Sequence, residues 1–137
     1  GLCSFPEEPL TPDLIRLDGC IMQQDTLPGN TVHADTPLGL TTVHEVGHWL
    51  GLDHPWGTAG ATPGFCTTPN NIPDLPVMWG VSEGCVNNFK SCPLQPFPFV
   101  DPIHNYMGYA DDCCLYEFTP GQIAAMDFNF NTFRLGK

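Results

Sequence analysis

The chain predicts an α+β domain, and three observations point that way. There is room for two short strands, near Leu2–Phe5 and Gly19–Gln24, ahead of a Pro/Gly-rich loop. His44 and His48 stand four residues apart in a stretch of helical spacing. Such a pair shares one helix face, one turn above the other. A further segment, just after Phe118, carries a helix-start signature.

The elements follow in chain order. The first helix is predicted to open at Thr41 or Thr42, since either hydroxyl can cap it, and to run to about Leu50. Val43, Val46, Trp49 and Leu50 form an apolar stripe expected to face the core. Residues 55–104 are rich in proline and glycine and show no sustained period. A long irregular segment, held by disulfides in place of regular structure, is expected there. In the last helix Thr119 is the expected cap, Pro120 the first helical residue and Gln122 the capping-box partner. Ile123, Met126, Phe130 and Phe133 recur at helical spacing and are expected in the core. No internal repeat is visible. A length of 137 residues predicts a single domain, 1–137.

Residues 44–54 spell H-E-x-x-H-x-x-G-x-x-H. Two histidines on one helix face can offer two imidazole nitrogens to one zinc ion. Glu45 projects beside them, free to act on a water. Gly51 tolerates the left-handed backbone of a chain reversal. The chain can then return and bring His54 to the same metal. Three imidazoles and one open position describe a catalytic zinc site; a structural site would be closed by a fourth protein ligand. Five fixed positions make chance an unattractive explanation, on the order of 1 in 100,000 for a chain of this length.

Composition excludes other classes. Fifteen acidic residues face four basic ones, a formal net charge of −11. No cluster of Lys and Arg exists to bind nucleic acid. No apolar run has transmembrane length. Seven cysteines in this length, with no C-x-x-C pair, predict disulfides and a secreted protein. Each bridge stabilises by about 2–4 kcal/mol, largely by restricting the unfolded chain. A secreted chain would have lost its signal peptide before Gly1. His33 lies in a polar loop and is expected to face solvent. His104 is expected to make a structural hydrogen bond.

Further motifs narrow the family. Asn105-Tyr106-Met107-Gly108-Tyr109 looks like a Met-turn downstream of the histidines. It is followed by Asp111, Asp112, Cys113 and Cys114, then by Phe118-Thr119-Pro120-Gly121-Gln122. With His44–Leu52, these resemble the pappalysin family of metzincin zinc peptidases, in its small secreted microbial form. The resemblance runs from about Gly1 to Arg134, and is best over residues 41–54 and 102–126. It implies a metzincin-like catalytic domain acting on protein or peptide substrates, without nucleic acid or membrane partners, and expected to be a monomer. Residues 1–54 would be a partial upper subdomain with the active-site helix. Residues 55–137 would be an irregular, disulfide-stapled lower subdomain with the Met-turn and C-terminal helix. Members of the clan usually carry more strands before that helix, so the upper subdomain is expected to be truncated.

The resemblance also implies roles. His44, His48 and His54 would bind one catalytic zinc. Glu45 would be general base, Tyr109 would steady the oxyanion, and Met107 would floor the metal. The implied bridges are Cys66–Cys92 and Cys85–Cys114. Cys3 and Cys20 would join neighbouring strands, and Cys113 would be the odd thiol. Cys113 and Cys114 could exchange roles, because spacing does not fix connectivity. The family's calcium-linked acidic stretch corresponds here to residues 70–76, where Asp74 remains but Asn70 and Leu75 depart from it. A calcium site there is expected to be weakened or lost. Gly108 replaces an aspartate common in the Met-turn. The alternative to an active endopeptidase is a zinc-binding but inactive remnant of one.

Overall fold

Two short extended segments pair before the ligand helix. In the computed structural model they are β1 (Leu2–Cys3) and β2 (Cys20–Ile21), antiparallel, with Leu2 opposite Ile21 and Cys3 opposite Cys20. A disulfide joins Cys3 to Cys20 across this register. The structure describes residues 1–6, 11–29, 32, 36–57, 66, 71–92 and 100–135. His33 and Asn70 lie outside them. The strands are shorter than the extended segments predicted. A six-residue helix, α1 (Pro12–Leu17), connects them; no sequence signal had marked it.

The histidine-bearing helix α2 spans Thr41–Trp49. Its start differs from expectation. Leu40 is the N-cap, and neither Thr41 nor Thr42 caps the helix. A distant side chain receives the incoming backbone: Asp112 Oδ2 accepts from the Leu38 and Leu40 N–H groups at 2.8 and 3.4 Å. A carboxylate there satisfies approach amides and complements the positive end of the helix. The expected burial of α2 is also corrected. Its buried face is His44, Glu45, Gly47 and His48, while Val46 is exposed and Val43, Trp49 and Leu50 are only partly covered. The face that carries His44 and His48 takes the interior, so the apolar stripe is displaced towards the rim.

At its C-terminus α2 stops at Gly51, whose φ of 85° needs no Cβ. Gly51 N–H donates to His48 O and Leu52 N–H to Gly47 O. The last carbonyls are met from far along the chain. Asn129 Nδ2 donates to Leu50 O at 2.8 Å, and Arg134 Nη2 to Trp49 O at 2.9 Å. The Arg134 guanidinium also lies over the Trp49 ring, 4.3 Å from its centroid, and pairs with Asp18. Arg134 and the Ser4 and Trp49 side-chain donors hold the Asp18 carboxyl below its usual range, against a burial effect that raises it.

Those tethers come from α3 (Pro120–Asn129) and the π-turn Phe130–Arg134 that continues it. The predicted capping box forms: Thr119 Oγ1 accepts from Gln122 N–H, and Gln122 Oε1 from Thr119 N–H. The predicted core stripe does not. Ile123 and Phe130 are exposed, and Met126 and Phe133 only partly covered. The capping glutamine is the buried residue instead, at 0% exposure.

Among the described residues, 50–111 hold no helix or strand, only isolated bridges such as Glu83–Tyr109. Disulfides Cys66–Cys92 and Cys85–Cys114 tie this region, and Cys113 is free and exposed. The fully buried side chains Leu52, Pro55, Asn105, Met107 and Gln122 form the centre, directly beneath α2.

Candidate metal centre

Helical spacing and the Gly51 reversal bring His44, His48 and His54 together, each buried. Their Nε2 atoms lie 3.0 Å (His44–His48), 3.2 Å (His44–His54) and 3.2 Å (His48–His54) apart. His44 Nδ1 donates to Tyr106 O at 2.9 Å, and His48 Nδ1 to Leu52 O at 2.6 Å. A carbonyl can only accept, so each of these rings carries a proton on Nδ1, and the neutral ring then has its lone pair on Nε2. Two such lone pairs cannot hydrogen-bond to each other at 3.0 Å, and a cation between them makes the contact favourable. Tetrahedral zinc with Zn–N bonds of about 2.0–2.1 Å separates its nitrogens by about 3.3 Å, close to the spacing found.

Burial favours the neutral form of the His44 and His54 rings, the form that binds a metal. Burial holds His44 down to about 4, with the charge of His48 acting in the same direction and the Tyr106 carbonyl opposing it. Burial also holds His54 down to about 3, with His48 and His44 adding to the effect.

Met107 is 0% exposed and lies under the helix. Gly47 sits between the two helical histidines, and any Cβ there would collide with Met107 Sδ. The thioether therefore packs against bare backbone. Asn105 fixes this turn: its Oδ1 accepts from Met107 N–H at 3.0 Å, and its amide pairs reciprocally with Gln122 at 2.6 and 3.0 Å. Gly108 N–H closes the turn on Asn105 O at 2.9 Å. His104 Nδ1 donates to Cys114 O at 2.7 Å, outside the imidazole cluster.

A cleft of about 690 Å³ reaches this cluster at His44. His44, Glu45 and Tyr109 line it, together with Glu83, Asp111 and Asp112. Glu45 is buried, and its Oε1 lies 3.6 Å from the Gly1 amino group. The Tyr109 ring stands edge-on to His54 at 5.0 Å and tilted to His44 at 5.5 Å. Burial raises its phenol pKa, and the Glu45 charge adds to the rise, so the hydroxyl keeps its proton. Asp74 is otherwise engaged. Its oxygens accept from Thr119 Oγ1 and Gly121 N–H, both at 2.8 Å, and the Gly121 bond chiefly lowers its pKa.

Sequence reasoning missed three contributors. Asp112 was noted only as a family marker, Gln122 only as a cap, and Trp56 not at all. The ring of Trp56 stacks on His54. Its one visible signal was its place two residues after the last motif histidine.

A ligand helix, a glycine reversal to a third histidine and a methionine turn beneath them define the metzincin class of metallopeptidase. The family model Peptidase M43, described as pregnancy-associated plasma protein-A, matches residues 21–131. An extracellular metalloprotease of Pyricularia oryzae is 45% identical over 100% of this chain and 45% of its own length. One from Arthroderma benhamiae is 40% identical over 99% of this chain and 44% of its own. Mature mirolysin of Tannerella forsythia, solved with a cleaved peptide, superposes with a TM-score of 0.79 at 32% identity, over 96% of this chain and 48% of that one. The chain belongs to the pappalysin family of metzincin zinc metallopeptidases. It spans about half the length of the curated relatives it matches.

Proposed function

We propose that this chain forms the catalytic region of a secreted zinc endopeptidase, monomeric, acting on protein or peptide substrates. The observation that carries the proposal is the convergence of three buried imidazoles, one of which, His44, lines a cleft together with Glu45 and Tyr109. His44, His48 and His54 would hold the zinc. Bound there, zinc would supply a water of lowered pKa, about 7, and a Lewis acid for the substrate carbonyl. Glu45 takes the proton from the attacking water and delivers it to the departing amine. The Tyr109 hydroxyl donates to the oxygen on which negative charge develops. The lining carboxylates Glu83, Asp111 and Asp112 give the cleft a negative potential, which favours cationic substrate segments. In the stretch that corresponds to the family's calcium-linked segment, the Asp74 oxygens accept from the start of α3. No helix among the described residues is long and apolar enough to cross a membrane; the reading as secreted follows the extracellular names of the relatives.

The test pairs zinc content with cleavage of a denatured protein before and after chelation. One zinc per chain and chelator-sensitive cleavage, faster on lysine-containing than on glutamate-containing peptides, is expected. Zinc without cleavage would assign the chain to metal binding alone. For Tyr109→Phe, turnover is expected to fall about 10- to 100-fold, because one oxyanion donor is lost among several. Zinc content should stay at one per chain, since no ligand is touched. An unchanged turnover would remove Tyr109 from the reaction.

A further inference from the structure

His44 and His48 are each aimed by a backbone carbonyl. His54 is aimed by an additional device. The Trp56 indole lies flat on its imidazole, centroids 4.7 Å apart and planes 5° from parallel. The same indole meets the Tyr109 ring edge-to-face at 5.0 Å and 75°. Tyr109 in turn stands edge-on to His54 at 5.0 Å and 79°. The three rings close a triangle in which each touches the other two.

The backbone fixes Trp56 in place. Residues 54–57 form a tight turn in which Gly57 N–H donates to His54 O at 2.9 Å. Pro55 is fully buried at the corner, and Gly57 has a φ of 98°. Proline presets the turn and glycine completes it, so the indole has little freedom to leave the imidazole. Stacked and edge-to-face rings prefer such separations, and the flat face resists rotation of the imidazole about its Cβ–Cγ bond.

We propose that Trp56 is a positioning residue that sets the third metal ligand and the tyrosine against each other, so that metal retention and oxyanion donation are coupled through one indole. The proposal rests on the zinc-peptidase reading above. Trp56 touches neither metal nor reacting atoms; it acts through His54 and Tyr109. Groups that orient metal ligands from outside the coordination sphere tune affinity by about 10- to 100-fold.

The experiment uses the full chain with Trp56→Ala, Trp56→Leu and Trp56→Phe. Zinc affinity is measured by competition with a chromophoric chelator. The visible absorption of the cobalt(II)-loaded protein reports the ligand geometry, and kcat and KM are measured on one peptide. Trp56→Ala and Trp56→Leu are expected to weaken zinc about 10-fold. Both should alter the cobalt spectrum and lower kcat with KM little changed. Trp56→Phe, which keeps a flat face, should recover most of the affinity and the spectrum. If Trp56→Ala fails to fold, Trp56→Leu against Trp56→Phe decides, because both fill the space and only one stacks. Zinc affinity within about twofold of the parent and an unchanged cobalt spectrum would overturn the proposal. So would a raised KM with affinity intact, which would make Trp56 a wall for substrate. A parent chain that takes up no zinc would overturn the zinc reading itself, and this proposal with it.

Discussion

Glu45→Ala is expected to lower cleavage of a denatured protein by about 100- to 10,000-fold while one zinc per chain stays bound. The two halves of that expectation have separate causes. Zinc stays because the three imidazoles come from His44, His48 and His54, and their orienting carbonyls belong to Tyr106 and Leu52. None of these contacts involves the glutamate side chain. The helix also survives, since alanine is the best helix former and position 45 lies in the interior of α2. Hydrolysis should fail because, in the role proposed for Glu45, the carboxylate is the acceptor of the proton from the attacking water. The check is zinc by mass spectrometry alongside an initial-rate assay. Cleavage retained at the parent rate would refute the role given to Glu45. Zinc lost together with activity would show that the carboxylate also supports the metal.

Gln122→Ala is expected to destabilise the fold by about 2–4 kcal/mol. The side chain is completely buried and closes two arrangements at once. It caps α3 through Thr119 N–H, and it exchanges two hydrogen bonds with Asn105. Truncation leaves the Asn105 amide and the Thr119 N–H without those partners, and opens a cavity. Each buried polar group left unpaired costs about 1–3 kcal/mol. Because Asn105 also holds Met107 N–H, the loss should loosen the floor of the metal cluster. Denaturant unfolding of the chelated protein measures the first effect, and zinc affinity the second. A change below about 0.5 kcal/mol, the level of ordinary surface substitutions, would mean that the pair is dispensable.

The legible part of this molecule is the part written in local spacing. The i, i+4 histidines, the glycine reversal and the return to His54 are all consequences of short-range geometry, so the cluster could be read before any tertiary contact was known. The α3 capping box was legible for the same reason. Burial was harder to read. The stripes Val43–Val46–Trp49–Leu50 and Ile123–Met126–Phe130–Phe133 satisfied the helical period, yet imidazoles and an amide took the interior faces. Periodicity marks a helix but does not say which face a functional site claims. The start of α2 was misassigned because its approach is received by Asp112, and local sequence carries no trace of a partner more than seventy positions away. Helix α1 has six residues and no signal strong enough to mark it.

The proton on His44 Nδ1 is held by the carbonyl of Tyr106, 62 residues further along the chain. All three imidazoles come from an eleven-residue stretch, yet that stretch alone leaves His44 free to choose either tautomer. A ready-made cluster exists only in the folded chain, so a metal that prefers the cluster must favour the folded chain by the same free energy. Under that linkage, each tenfold rise in free zinc above its dissociation constant adds about 1.4 kcal/mol to the unfolding free energy. The ion proposed to serve peptide hydrolysis would thus also set how rarely the chain opens to proteolysis.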